Sequence, residues 1–279
     1  MDYEKLTPYR KVVVDRIKEY EREGLWAKDV EDDPPFETLM PDRADYLNEK
    51  PFAKLKSRIA NRLAIRFYEG LIKKGAFIIK DVRGMENYTA VKGGAILTCN
   101  HFSMFDNYVV YRTIRRNLGK SGVLYKVIRE GNYTGFKGLF GFFFRHCNTL
   151  PLSSNTDTMK KFLRSVDILL NRGEKILVYP EQGMWWNYRK PRPMQNGAFK
   201  LAEKSNVPVI PVFITMEDTE KLDADGYPIQ AYTVHFAPAI YPDKSLSPKD
   251  ATEKLKEENY RICKEIYERE YGLALNYEE

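Results

Sequence analysis

Ala95-Ile96-Leu97-Thr98-Cys99-Asn100-His101-Phe102-Ser103-Met104-Phe105-Asp106 sets a short apolar run directly against a turn that carries one histidine and one carboxylate. The apolar part reads as a buried strand, and Phe105 to Leu118 reads as the helix after it. Open α/β sheets place ligands outside the carboxyl ends of their strands, so His101 stands where chemistry is expected. Asp106 is five positions further on, about 140° round the axis of a continuous helix, so the two side chains meet only if His101 sits in the turn before the helix. Ser103, followed three residues later by Asp106, supplies such a turn as a capping box with Asp in place of Glu or Gln. Two readings stand at this point: a helix cap beside a loop histidine, or a carboxylate that fixes an imidazole tautomer while the other ring nitrogen takes a proton from a substrate hydroxyl.

Working outward, apolar segments near 76–82, 94–99, 122–128, 175–179, 207–214 and 232–240 read as strands. Helical periodicity recurs near 105–118, 156–172, 196–205 and 248–270. This alternation predicts an α/β fold with a central mixed or largely parallel sheet flanked by helices. Residues 5–22 read as a charged helix, and an acidic, proline-containing linker through Glu31-Asp32-Asp33-Pro34-Pro35 runs to about Pro51. The chain therefore divides into an N-terminal helical extension, 1–51, and an α/β domain, 52–279. That domain opens with a basic amphipathic helix, with Leu55, Ile59, Leu63 and Phe67 set among Lys56, Arg58, Arg62 and Arg66. Such a helix either covers the core or lies on anionic lipid.

With 279 residues, 43% of them hydrophobic, the chain is long enough to bury roughly three quarters of its unfolded surface. The 45 basic and 39 acidic side chains leave a net charge of +6, a mild preference for anionic partners. Cys99, Cys147 and Cys263 are too few and too scattered for a disulfide framework or a zinc cluster. No signal-peptide core follows Met1-Asp2-Tyr3-Glu4-Lys5, and no run approaches the ~20 apolar residues that span a bilayer. The expected location is cytoplasmic, with peripheral contact at the inner face of the cell membrane.

His146 and His235 lack a setting like that of His101 and read as structural or surface residues. There is no G-x-S-x-G elbow, complete P-loop or G-x-G-x-x-G fingerprint, which weakens the serine hydrolase, NTPase and dehydrogenase readings. Gly119-Lys120-Ser121 comes nearest to a P-loop, with Ile114 in the place of its first glycine. Arg112, Arg115 and Arg116 fit a solvated helical face, so no nucleic-acid partner is expected.

Asn100-His101-x-Ser103-x-x-Asp106 resembles the first signature of the glycerolipid acyltransferases, which include the lysophosphatidic acid acyltransferases. Further blocks stand before and after it in the family's order. Gly84-Met85-Glu86-Asn87 resembles a G-x-E-N turn, and Val178-Tyr179-Pro180-Glu181 resembles the start of a P-E-G-T-R block. Asn196-Gly197-Ala198-Phe199 is similar to K-x-G-A-F, with Gln195 and Asn196 where lysines are common. Val207-Pro208-Val209-Ile210-Pro211-Val212 is similar to the family's V-P-[VI]-x-P strand. The resemblance covers roughly residues 76–215. It implies His101 as general base, Asp106 as its orienting partner, and a substrate site drawing on Asn100, Ser103, Glu181, Gln182 and Gly183. It implies an acyl-CoA or acyl carrier protein donor, a lysophospholipid or other lipid-like acceptor, and no bound cofactor or metal.

Two departures bear on the acceptor. Met184 and Ser154 stand where the family has phosphate-contacting arginines, and a guanidinium lost there removes bidentate phosphate contacts. Arg145, in an alternative register, or Arg189, Lys190 and Arg192 could supply that charge instead. Trp185 and Trp186 could line an acyl channel, rest at a membrane interface or cover core. A thioesterase-like hydrolase using the same pair on water, and a non-catalytic lipid-binding protein on a membrane surface, are the competing readings.

Overall fold

In the computed structural model, residues 2–118 and 122–277 are described, so Gly119-Lys120-Ser121 lies outside the described residues. The elements run α1 (Pro8–Arg22), α2 (Pro51–Lys73), β1 (Ile78–Arg83), α3 (Met85–Ala90), β2 (Ala95–Thr98), α4 (Asp106–Ile114), β3 (Leu124–Ile128) and α5 (Glu130–Thr134). They continue with α6 (Gly138–His146), β4 (Thr149–Pro151), α7 (Thr156–Asn171), β5 (Lys175–Val178), α8 (Gly197–Ser205), β6 (Val209–Leu222), β7 (Pro228–Phe236) and α9 (Pro248–Tyr271). The strands form one sheet in the order β1-β7-β6-β2-β5-β3-β4. β6, β2, β5, β3 and β4 are parallel, whereas β7 is antiparallel to β6 and parallel to β1. The fold is thus α/β with a mixed, mostly parallel sheet.

Strand alternation decides which helices cover which face. Ile96, Ile176 and Val209 pack with Phe162, Val166 and Leu169 of α7 and Phe199 and Ala202 of α8. Ala95, Leu97, Leu177 and Ile210 point the other way, onto Tyr108, Val109 and Val110 of α4. β2 is buried along its whole length because helices cover both faces of a central parallel strand. The five parallel strands therefore open their carboxyl ends on one edge, where Asn100 and His101 emerge from β2.

The acidic, proline-containing segment between α1 and α2 has no helix or strand, yet it is not a free spacer. Leu39, Ala44 and Tyr46 are buried in the core beside Phe162, and the Tyr46 hydroxyl donates to the Pro151 carbonyl at 2.9 Å. Its apolar residues follow no helical or strand period, so sequence pattern alone reads it as a linker. α3, α5, α6 and β4 also escape that reading. The helices are short, and β4 is a three-residue edge strand. β6 runs past residue 214 to Leu222 because β7 pairs with its polar half, Asp218 lying opposite Gln230.

Candidate active site

The turn after β2 is built around one carboxylate. Asp106 opens α4 and is fully buried, and its Oδ2 accepts from His101 Nδ1 at 2.7 Å, from the Phe102 amide at 3.2 Å and from the Ser103 amide at 3.3 Å. Ser103 Oγ accepts from the Phe105 amide at 3.2 Å, which tightens the turn but leaves the helix itself without a side-chain cap. Asp106 therefore does both jobs that the sequence left open: it ties back the turn and holds the imidazole.

A fourth donor comes from the next strand. Tyr179, just past β5, donates its hydroxyl to Asp106 Oδ1 at 2.7 Å. Its ring stacks on the His101 imidazole, with centroids 4.0 Å apart and planes 16° apart. Burial, reinforced by the Asp106 charge, pushes the Tyr179 phenol well above its usual value, so the hydroxyl keeps its proton and remains a donor. With both carboxylate oxygens engaged, Nδ1 carries the proton given to Asp106, and Nε2 is left with the lone pair. Nε2 has no hydrogen bond among the described residues, and the His101 side chain retains 23% of its exposure. It faces a cavity of about 1480 Å³ at the strand ends, whose apolar walls include Ile65, Phe143, Phe162, Leu163 and Leu201.

Behind His101 lies a second buried pair. Glu181 is 3% exposed and Arg192 1%. Glu181 Oε2 accepts from Arg192 Nη2 at 3.0 Å and from the His101 amide at 3.2 Å, while Oε1 accepts from the Arg192 amide at 2.9 Å. The guanidinium also donates to the carbonyls of Trp26, His101 and Gly183. Burial pulls Arg192 below the usual guanidinium value, and the Glu181 carboxylate opposes that shift. This pair fixes the His101 backbone from behind and does not line the cavity.

Several sequence assignments are corrected by these positions. Arg192 is buried, donates from Nη1 and Nη2 to protein acceptors and does not line the cavity. Arg189 is engaged with Asp218 and Gln230, Lys190 is held by Glu21 at 2.8 Å, and Arg145 is turned onto the Tyr133 and Phe136 carbonyls; none of the three lines the cavity. Asn100 spends its amide on the Ile214 backbone at 2.9 and 3.0 Å, locking β2 to β6, and does not line the cavity. Ser103 and Glu181 act within the protein rather than on the cavity wall. Gln182 and Gly183 do line it, with Gln182 in the left-handed region at φ +66°. Met184 lines it too, whereas Ser154 does not. Trp185 is fully buried, stacks on Trp26 and donates to the Lys28 carbonyl at 2.7 Å; Trp186 lies under the Arg10 guanidinium at 3.9 Å. Both tryptophans cover core.

Pattern reading missed Tyr179 as a functional side chain, although it stands at the carboxyl end of a strand like His101, and that shared place was the available signal. It also missed Arg129 at the end of β3, and Asp29 and Asp33 from the N-terminal segment, which line the same cavity. The acidic pair had no local signal, because its partner is 100 residues away in the chain.

A family model described as Acyltransferase matches residues 80–215. No curated protein matches the chain. Among solved structures, the 1-acyl-sn-glycerophosphate (LPA) acyltransferase PlsC from Thermotoga maritima is similar at 18% identity and a TM-score of 0.48, over 77% of this chain and 79% of that one.

Proposed function

We propose, from the acyltransferase family model that matches residues 80–215, that the chain moves a fatty acyl group from a thioester, acyl-CoA or acyl carrier protein, to a hydroxyl of a lipid-like acceptor, with His101 as general base. The observation that carries this reading is the 2.7 Å bond from His101 Nδ1 to a buried Asp106 at the mouth of a large apolar cavity. Nε2 removes the acceptor hydroxyl proton as the oxygen attacks the thioester carbonyl. Asp106 stabilises the imidazolium that forms, and the imidazolium then protonates the thiolate that leaves as the C–S bond breaks. No protein nucleophile is needed, and the cavity gives the acyl chain an apolar path.

The acceptor would be met at a membrane surface, on its inner face. Phe52, Leu55, Ile59 and Leu63 of α2 are all exposed and recur at helical spacing on one side, flanked by Lys54, Arg58 and Arg62. Among the described residues no helix is long and apolar enough to cross a membrane, so contact would be through an interfacial helix. Ile59→Glu with Leu63→Glu is expected to abolish co-sedimentation with anionic vesicles; retention of binding would remove α2 from this role.

The central test is His101→Ala in the purified protein, supplied with labelled acyl-CoA or acyl carrier protein and a lysolipid mixture, with products identified by mass spectrometry. Turnover is expected to fall roughly 10²- to 10⁴-fold, the usual worth of a general base. Full acyl transfer by the variant would exclude His101. Release of free fatty acid by the wild type, indifferent to added acceptor, would instead favour hydrolysis.

A further inference from the structure

One wall of the cavity is a strap, residues 26–36, fixed at both ends. The Trp185 indole and the Arg192 guanidinium donate to the Lys28 and Trp26 carbonyls at 2.7 and 2.8 Å. Gly183 lies so close beneath that a Cβ there would stand 2.6 Å from the Lys28 carbonyl oxygen. At the far end, Cβ atoms on Gly131 and Gly135 would stand 3.0 Å from the Phe36 ring and the Pro35 carbonyl oxygen. Glycines let the strap sit this close to the strand-end loops.

What the strap carries is acid. Asp29 and Asp33 both grip Arg129, the latter at 2.7 Å, so Nη1 and Nη2 of that guanidinium each have one carboxylate partner. The other Asp29 oxygen accepts from the Met184 amide at 3.3 Å, and the next amide, that of Trp185, donates to the His101 carbonyl at 3.0 Å. The acidic pair is thus tied, through two neighbouring peptide groups, to the residue that bears the base. Glu31 and Asp32 also face the cavity and are paired with Arg10 and Arg16 of α1. Lys126 lies along β3 opposite Leu177, two residues below Tyr179, while Lys137 and Lys200 are exposed on the outer walls.

A phosphomonoester needs a guanidinium or ammonium with free donors. In the cavity that His101 also lines, Arg129 is already clamped by two carboxylates, a group of three charges with a net of −1. We propose that the strap sets acceptor choice: Asp29 and Asp33 exclude phosphomonoester lipids and favour a hydroxyl acceptor whose headgroup carries no net negative charge. This assignment rests on the acyl-transfer reading above and names the acceptor class of the same site.

The test uses the full-length protein, labelled acyl-CoA and three acceptors: lysophosphatidate, neutral monoacylglycerol and its cationic glycine ester. In the wild type, kcat/KM for lysophosphatidate is expected to lie at least about 100-fold below the better of the other two, and the double variant Asp29→Asn, Asp33→Asn, which frees Arg129, to raise it about 10-fold. The same variant should lower use of the cationic ester. Preference for lysophosphatidate by the wild type overturns the assignment without recourse to any variant. So does an unchanged preference in a variant whose melting temperature shows it folded. Thioester consumption with no acylated lipid from any acceptor defeats the acyl-transfer reading itself, and this assignment falls with it.

Discussion

Asp106→Asn isolates the charge of the candidate catalytic pair from its shape. Three donors converge on Asp106 Oδ2, namely His101 Nδ1 at 2.7 Å and the amides of Phe102 and Ser103 at 3.2 and 3.3 Å. An asparagine must keep its single oxygen there, because its NH₂ group would face two backbone N–H donors. Its nitrogen then faces Tyr179, whose hydroxyl turns from donor to acceptor at the Oδ1 position. The imidazole tautomer and the turn are retained, so what is lost is electrostatic. An imidazolium and a carboxylate with charge centres about 4 Å apart interact by roughly 4 kcal/mol at an effective dielectric of about 20. If the transition state carries most of that imidazolium charge, the loss corresponds to about 10³-fold in rate. The assay is kcat for transfer from labelled acyl-CoA, with thermal melting run alongside. The expected outcome is a kcat lower by about 10²- to 10³-fold, with KM for the thioester changed little. A kcat within about fivefold of wild type, in a protein that melts normally, would refute the role of the pair as a base.

Two other perturbations separate structure from chemistry. Arg192→Met leaves Glu181 buried without its partner, a cost of roughly 3–5 kcal/mol, and is expected to lower the melting temperature by about 10 °C; adding Glu181→Gln should recover part of that loss, and an undisturbed melting temperature in the single variant would return Arg192 to the candidate ligand contacts. His235 is a buried residue of β7, with Nε2 3.0 Å from Thr215 Oγ1 of β6, and burial lowers it from 6.5 to about 4. The unfolded chain therefore takes up a proton that the folded chain refuses between those values. The stabilisation is fully present above pH 6.5, and about 2–3 kcal/mol of it is lost as pH falls to 4. Urea midpoints at pH 7.5 and 4.5 should reveal that loss in the wild type and a smaller one in His235→Gln; equal losses would assign the acid sensitivity to other groups.

The alternating fold was legible because its signals are local. The Ala95–Cys99 run and the periodic helices at 156–172 and 248–270 each announce themselves within one element. His101 and Asp106 were legible for the same reason, since six residues of chain hold both the histidine and the carboxylate. The rest of the site is made by contacts that no window spans. Tyr179 reaches Asp106 across 73 residues, because neighbouring parallel strands deliver their ends to one edge. Arg192 looked like a loop cation. It is fully buried because the turn after β5 folds its guanidinium onto Glu181 and three carbonyls.

Period and spacing are properties of the chain, so an α/β fold with one histidine and one carboxylate poised at a strand end could be read from residue order alone. Which charges the cavity holds depends on how the chain packs. Ion-pair partners are chosen by proximity in space, and here an acidic segment that reads as a linker packs over the strand ends and claims Arg129.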